Sequence, residues 1–142
     1  MKRLPWLTLA VFATTAVVTG AQVFVPWLLP ALQRQPSMLA GEPWRFVTAW
    51  LVHDGGWRQI AFNFTALAVV GTLAELRIGR WPWIAAYGLG GFAGEIAGVF
   101  WQPVGAGNSV AISGVAAMLA VDVGADRALP MPQRLGYPLV LA

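Results

Sequence analysis

Three apolar stretches, each about twenty residues long, limit what this chain can fold into. The first lies between Trp6 and Trp27, the second opens on Trp57, and the third lies between Trp81 and Trp101. At 1.5 Å per helical residue each reaches about 30 Å, the thickness of bilayer hydrocarbon. Tryptophan prefers the headgroup boundary, so the flanking indoles mark the two edges of a span. Composition agrees. The chain is 58% hydrophobic and 11% charged, against about 25% charged in an ordinary soluble domain. The expected fold class is all-α, a polytopic transmembrane helix bundle. The expected order over a single 1–142 domain is helix 1 at about 6–27, an outer loop at 30–56, helix 2 at about 57–76, helix 3 at about 81–101 and helix 4 at about 109–123. The final residues, 137–142, read as the start of a fifth helix, which suggests a C-terminally incomplete chain. Met1-Lys2-Arg3 before an apolar run also fits a secretory signal, with Thr19-Gly20-Ala21 as a passable cleavage pattern. The run is long for such a signal, and its bracketing tryptophans favour a span.

Several function classes are excluded early. The nine basic residues are scattered singly, so the net charge of +3 is no nucleic-acid footprint. With no Cys and one His, the chain holds no disulfide framework and few ways to build a metal site; no cofactor is expected. Basic residues divide unequally between the loops. Lys2, Arg3, Arg77, Arg80, Arg127 and Arg134 fall on one side, and Arg34, Arg45 and Arg58 on the other. The positive-inside rule then places the N-terminus in the cytoplasm and loop 30–56 outside, with a bacterial inner membrane as the expected location.

Chemistry is concentrated at Gly105-Ala106-Gly107-Asn108-Ser109-Val110-Ala111-Ile112-Ser113-Gly114. Glycines supply a tight turn, and Asn108 is a good N-cap for the apolar helix that follows. Ser109 therefore stands in a first helical turn, beside free N–H groups and the positive end of a macrodipole. A hydroxyl nucleophile and an oxyanion are easily stabilised there. Ser113 lies one turn on. The competing interpretation is mechanical, because Ser109, Ser113 and Ala117 also make a small-residue packing stripe. Helix 4 is short, so its Gly-rich start lies below the outer surface. Irregular backbone at that depth implies protein burial or a water-filled pocket.

Other polar residues fall inside the apolar stretches. Gln59 and Asn63, four apart, share a face of helix 2 and suit either interhelical glue or a cavity lining. Gly90, Gly94 and Gly98, with Gly91 beside them, make a ridge that requires a neighbouring helix at near-backbone distance. Glu95 is a carboxylate well inside helix 3, and hydrogen bonding to a neighbouring helix is favoured over catalysis. The connection at 30–56 is rich in Pro, Trp and charge, and is expected to lie in the headgroup region.

Together these residues resemble the rhomboid family of intramembrane serine proteases. Trp44-Arg45-Phe46-Val47-Thr48 with His53 is similar to that family's Trp-Arg loop signature and following His. Asn63 is similar to its helix-2 Asn, and Glu75-Leu76-Arg77-Ile78-Gly79 to its Glu-x-Arg-x-Gly segment. Tyr87, Gly91 and Gly94 match its Tyr-x-x-x-Gly-x-x-Gly pattern. Gly107-Asn108-Ser109 falls at its Gly-x-Ser nucleophile. The family core has six helices, of which this chain would cover about four.

The resemblance implies a Ser109 nucleophile, with Ser113 as competitor, and an oxyanion site of Asn63 and Gln59. Gly107 and His53 would support the cavity. The substrates would be transmembrane segments of proteins in the lipid bilayer, and the general base a His in a later helix. Trp44 and Arg45 would anchor the loop. Two positions depart from the pattern. Gln59 stands where the family has a second His, and Val110 follows Ser109 where it has Gly. These favour an alternative, a non-catalytic rhomboid-like protein that binds transmembrane clients. A third possibility is a membrane protein whose glycines and serines only pack helices.

Overall fold

The computed structural model describes residues 4–126. The expected start of a further helix at 137–142, and Arg127 and Arg134, lie outside the described residues. The long helices are α1 (Trp6–Phe24), α4 (Gly56–Ala66), α5 (Thr72–Ile78), α6 (Arg80–Trp101) and α7 (Ser109–Ala125), with short helices α2 (Leu28–Leu32) and α3 (Arg45–Thr48) in the outer loop. A π-helical turn at Leu67–Gly71 joins α4 to α5 without a break. No strand forms among the described residues; one antiparallel bridge pairs Arg34 with Gly105. Three helices, Trp6–Phe24, Gly56–Ile78 and Arg80–Trp101, are long and apolar enough to cross a membrane.

The element ends have local causes. Helix α1 stops at Phe24, three residues short of the expected end at 27, because Pro26 has no N–H to continue the ladder. Gly79 ends α5 with φ +98, a conformation that a side chain would strain, and α6 begins at the next residue. Loop 30–56 is folded and not extended. It folds into 3-10 turns at Pro36–Leu39 and Ala49–Leu51 around α3. Arg45 organises it: its buried guanidinium donates to the carbonyls of Pro30 (3.0 Å) and Gln33 (2.8 Å) and pairs with Glu42 (2.8 Å). Hydrogen bonds from Arg45 and then Ser37 hold the Glu42 carboxyl below its ordinary value. Trp44, by contrast, is half exposed.

In lipid, apolar burial does not draw helices together; packing and polar contacts do. The pairing of α6 with α7 is the most extensive among the described residues. Gly90 and Gly114 meet backbone to backbone: a Cβ on Gly90 would lie 2.7 Å from the Gly114 Cα. The ridge then continues to other partners, Gly94 against Val110, Gly91 against Trp50 and Gly98 against Arg34. Around this crossing lies a core of Leu67, Val70, Trp83, Tyr87, Val115 and Leu119, with Trp83 stacked on Tyr87 at 4.9 Å. The inward face of α1 is polar: Thr8, Thr15 and Thr19 are its buried residues.

At one end of α7, charged side chains bind the bundle together. The Glu75 carboxylate accepts from the N–H groups of Leu7 (3.0 Å) and Thr8 (2.8 Å) and from the Thr8 hydroxyl (2.9 Å). It thus satisfies orphan donors in the first turn of α1. Arg77 pairs with Asp122 and with Asp126 (2.7 Å) of the α7 end.

Candidate active site

The opposite end of α7 is built on one glycine. Gly107 adopts φ +130 and donates its N–H to the Ala49 carbonyl at 2.9 Å. This fixes the turn against the outer loop. The helix begins two residues later, and its first backbone bond runs from Ile112 N–H to Asn108 C=O at 2.9 Å. The N–H groups of Ser109, Val110 and Ala111 therefore precede the ladder and stay free of it. Ser109 is half-buried at this terminus, whereas Ser113, a turn later, is exposed.

Helix α4 brings two amides to the same turn. A Cβ on residue 107 would lie 2.8 Å from Gln59 Nε2 and 3.2 Å from Asn63 Nδ2. Only a glycine leaves both amides room to face its backbone. They differ in what they already hold. Gln59 donates to the Ala106 carbonyl (2.7 Å) and to Asp54 (3.3 Å), and accepts from the Gly55 N–H (2.8 Å). Asn63 is 1% exposed and its Nδ2 has no hydrogen-bond partner among the described residues. A buried donor of this kind is costly unless something occupies it.

Asn108 sits at the N-cap position without capping. Its side chain makes no hydrogen bond to the α7 backbone, which corrects the expectation from sequence. It is buried beside His53 and Tyr87 instead. Its backbone (φ −84, ψ 9) is turn-like and not the extended conformation from which an N-cap side chain reaches the N–H groups of the first turn. Neither Nδ2 nor Oδ1 of Asn108, nor Nε2 of His53, completes a hydrogen bond among the described residues.

His53 is held from α1. Gln22 brackets its backbone, with Nε2 donating to the His53 carbonyl (2.6 Å) and Oε1 accepting from its N–H (2.9 Å). Thr19 Oγ1 meets Nδ1 at 3.0 Å and donates to the Leu51 carbonyl at 3.2 Å. Thr19 thus ties the Nδ1 side of the ring to the Leu51 backbone. Burial pushes the His53 pKa below its ordinary value, offset in part by the Asn108 amide and the Asp54 carboxylate. No hydrogen bond joins the ring to Ser109.

Sequence reasoning missed the anchors Thr19 and Gln22. The signal was present: Thr8, Thr15, Thr19 and Gln22 recur at helical spacing along an otherwise apolar run. It also missed the partner of Glu95, which is no neighbouring helix. The carboxylate pairs with Arg34 of the outer loop at 2.9 Å. Cavities of about 300 Å³, lined by residues including Val11, Trp50 and Tyr87, and about 200 Å³, lined by residues including Thr19, Trp57 and Phe64, lie between α1 and its neighbours. Ser109 lines neither.

Comparison with known proteins bears on this arrangement. The Rhomboid domain family matches residues 40–140, well over half of the chain. The chain is 29% identical over 91 residues to Rhomboid protease AarA of Providencia stuartii; the match covers 64% of this chain and 32% of that protein. The chain thus spans about a third of the length of the curated relative it matches. No solved structure matches. The three candidate spans and the family match together make this an integral membrane protein, and the chain belongs to the rhomboid family, an intramembrane protease family.

Proposed function

We propose that the chain carries the nucleophile and oxyanion site of an intramembrane serine endopeptidase that cleaves transmembrane segments of membrane proteins. The observation that carries this reading is the buried, unpartnered Asn63 Nδ2 facing the Gly107 turn, next to a serine in the first turn of α7. Donors held ready where negative charge develops are what an acyl-transfer site requires.

In this reading Ser109 Oγ attacks the scissile carbonyl. The carbonyl oxygen, now an oxyanion, accepts hydrogen bonds from the Ser109 N–H and from Asn63 Nδ2. Gln59 enters this set only by releasing Asp54, and otherwise holds the Ala106 carbonyl. The serine proton goes to a base, because a hydroxyl at neutral pH is a poor nucleophile without one. His53 is the single His of these 142 residues and makes no hydrogen bond to Ser109, so a His outside them is the proposed base. His53 then supports the cavity wall. The 142 residues alone are expected to be inactive and unlabelled by a fluorophosphonate. The protein is taken as multi-pass on its three apolar helices, with its N-terminus cytoplasmic on loop charge, in a bacterial inner membrane.

A second reading, a non-catalytic binder of transmembrane clients, is favoured by Gln59, whose amide hydrogens are both engaged. The test uses the protein expressed from its full reading frame, in proteoliposomes, with a tagged transmembrane substrate. Ser109→Ala should abolish cleavage, a loss of at least about 10³-fold, while Ser113→Ala leaves it. The reverse result moves the nucleophile to Ser113. Client binding without cleavage by the unmodified protein supports the second reading.

A further inference from the structure

Arg34 belongs to none of the family-like motifs, yet three parts of the molecule converge on it. Its backbone makes an antiparallel bridge with Gly105, with Arg34 N–H to the Gly105 carbonyl at 2.8 Å and Gly105 N–H to the Arg34 carbonyl at 3.3 Å. Its Nε donates to the Gln102 carbonyl at 3.1 Å. Its Nη1 donates to Glu95 Oε2 at 2.9 Å, in an ion pair whose side chains are 9% and 1% exposed. The outer loop, α6 and the 102–108 segment are thereby joined through one guanidinium.

The packing is shaped around this group. A Cβ on Gly98 would fall 2.8 Å from Arg34 Nε, and one on Gly105 would lie 3.3 Å from its Cζ. Side chains at either position would expel it. Apolar residues of similar volume often stabilise a buried site as well as an ion pair does. They would not hold the Gln102 carbonyl. The planar fork of arginine does both, and a lysine ammonium cannot place two donors in that geometry.

We propose that Arg34 and Glu95 are positioning residues: a clamp that holds segment 102–108 so that Gly107 meets Asn63 and Ser109 stands at a fixed depth at the start of α7. The catalytic consequence rests on the function proposed above. The mechanical consequence does not. Between the clamp at Gly105 and the nucleophile at Ser109 lie three residues, and one of them, Gly107, is bonded to Ala49. Arg34 and Ala49 are thus the two anchors of this segment, and loss of the first leaves Ser109 positioned by the second alone, where a displacement of about 1 Å can cost on the order of 100-fold in rate.

The experiment compares Arg34→Lys, Glu95→Gln and the double variant Arg34→Met/Glu95→Leu in the full-length protein. The double variant keeps the volume buried and leaves no unpaired charge, so it stays folded if a single variant does not. Hydrogen exchange of the 102–108 amides and the kcat–KM split for a transmembrane substrate are both read. The clamp predicts faster exchange at Gly105 and Gly107 in the folded double variant. It also predicts kcat lower by tenfold or more with KM within about twofold, and partial recovery in Arg34→Lys relative to the double variant. Unchanged exchange and unchanged kcat in a folded double variant overturn it. If Ser109→Ala still cleaves, the endopeptidase reading fails at that residue, while the exchange result still decides the clamp.

Discussion

The two ends of α7 handle buried polarity in opposite ways. At the Asp122 end, charged side chains find partners: Glu75 accepts three hydrogen bonds from the first turn of α1, and Arg77 binds both Asp122 and Asp126. At the Ser109 end the Arg34–Glu95 pair is satisfied, but the groups facing the Gly107 turn and His53 are buried without completing their bonds, at Asn63 Nδ2, both polar atoms of Asn108 and His53 Nε2. A satisfied buried network specifies and holds a fold, while unsatisfied groups cost stability unless another molecule meets them. The first end is mechanical, and the second is where a ligand, water or reacting group has most to gain. The Gly90–Gly114 crossing fixes one end relative to the other.

The sharpest way to break this contrast is Asn63→Leu, which keeps the volume and removes the unpaired amide. Cleavage by the full-length protein should fall on the order of 10²-fold in kcat, as for loss of one oxyanion donor. Thermal stability should hold or rise, because an unpartnered buried group is lost. A matching fall in melting temperature would mean that Asn63 belongs with the mechanical end.

The converse variant is Glu75→Gln. It should cost about 2 kcal/mol of stability through weakened charge-assisted bonds to Leu7 and Thr8, with kcat per folded molecule unchanged. Denaturation in detergent micelles and single-turnover rates separate the two readouts. Arg77→Ala removes solvent-screened ion pairs and should lower stability by less than Glu75→Gln does, with a deficit that shrinks as salt is added.

The smallest expected effect is a pH slope. Burial lowers the His53 pKa below 6.5, so between the folded value and 6.5 the unfolded chain binds more protons. The His53 contribution is complete above pH 6.5 and is lost as pH falls through the folded value. Glu42, also held below its ordinary 4.5, loses its contribution only at lower pH, so the two windows are separable. His53→Gln should flatten the upper window in a stability–pH titration. A slope that survives it would point to another group.

Of the fold, the helical class was legible, because a polar backbone in hydrocarbon has few options and long apolar runs declare the choice. The Gly ridge also announced a close helix contact, since glycines at four-residue spacing bare one face of a helix down to its backbone. Of the site, Ser109, Asn63, Gln59 and Gly107 could be named as candidates from Gly-x-Ser and the i, i+4 amides, and the structure brings the two amides to the Gly107 turn beside Ser109. Asn108 does not cap as its residue type suggests, because N-cap preference presumes extended backbone and the backbone here is turn-like. The order within loop 30–56 was hidden for a different reason: Arg45 and Arg34 act on carbonyls and carboxylates far away in sequence.

Local quantities suffice to put this chain in a bilayer as helices and to show where a reactive serine could stand. Apolar length against bilayer thickness carries the first, and a glycine turn before a helix carries the second. Which polar groups are spent and which are left over is a matter of tertiary contacts alone. Glu75 and Asn63 are both buried polar residues on the same helical segment. One is saturated by α1 and the other faces a turn 44 residues away. That difference depends on which elements arrive beside each side chain, and the chain's local preferences do not contain it.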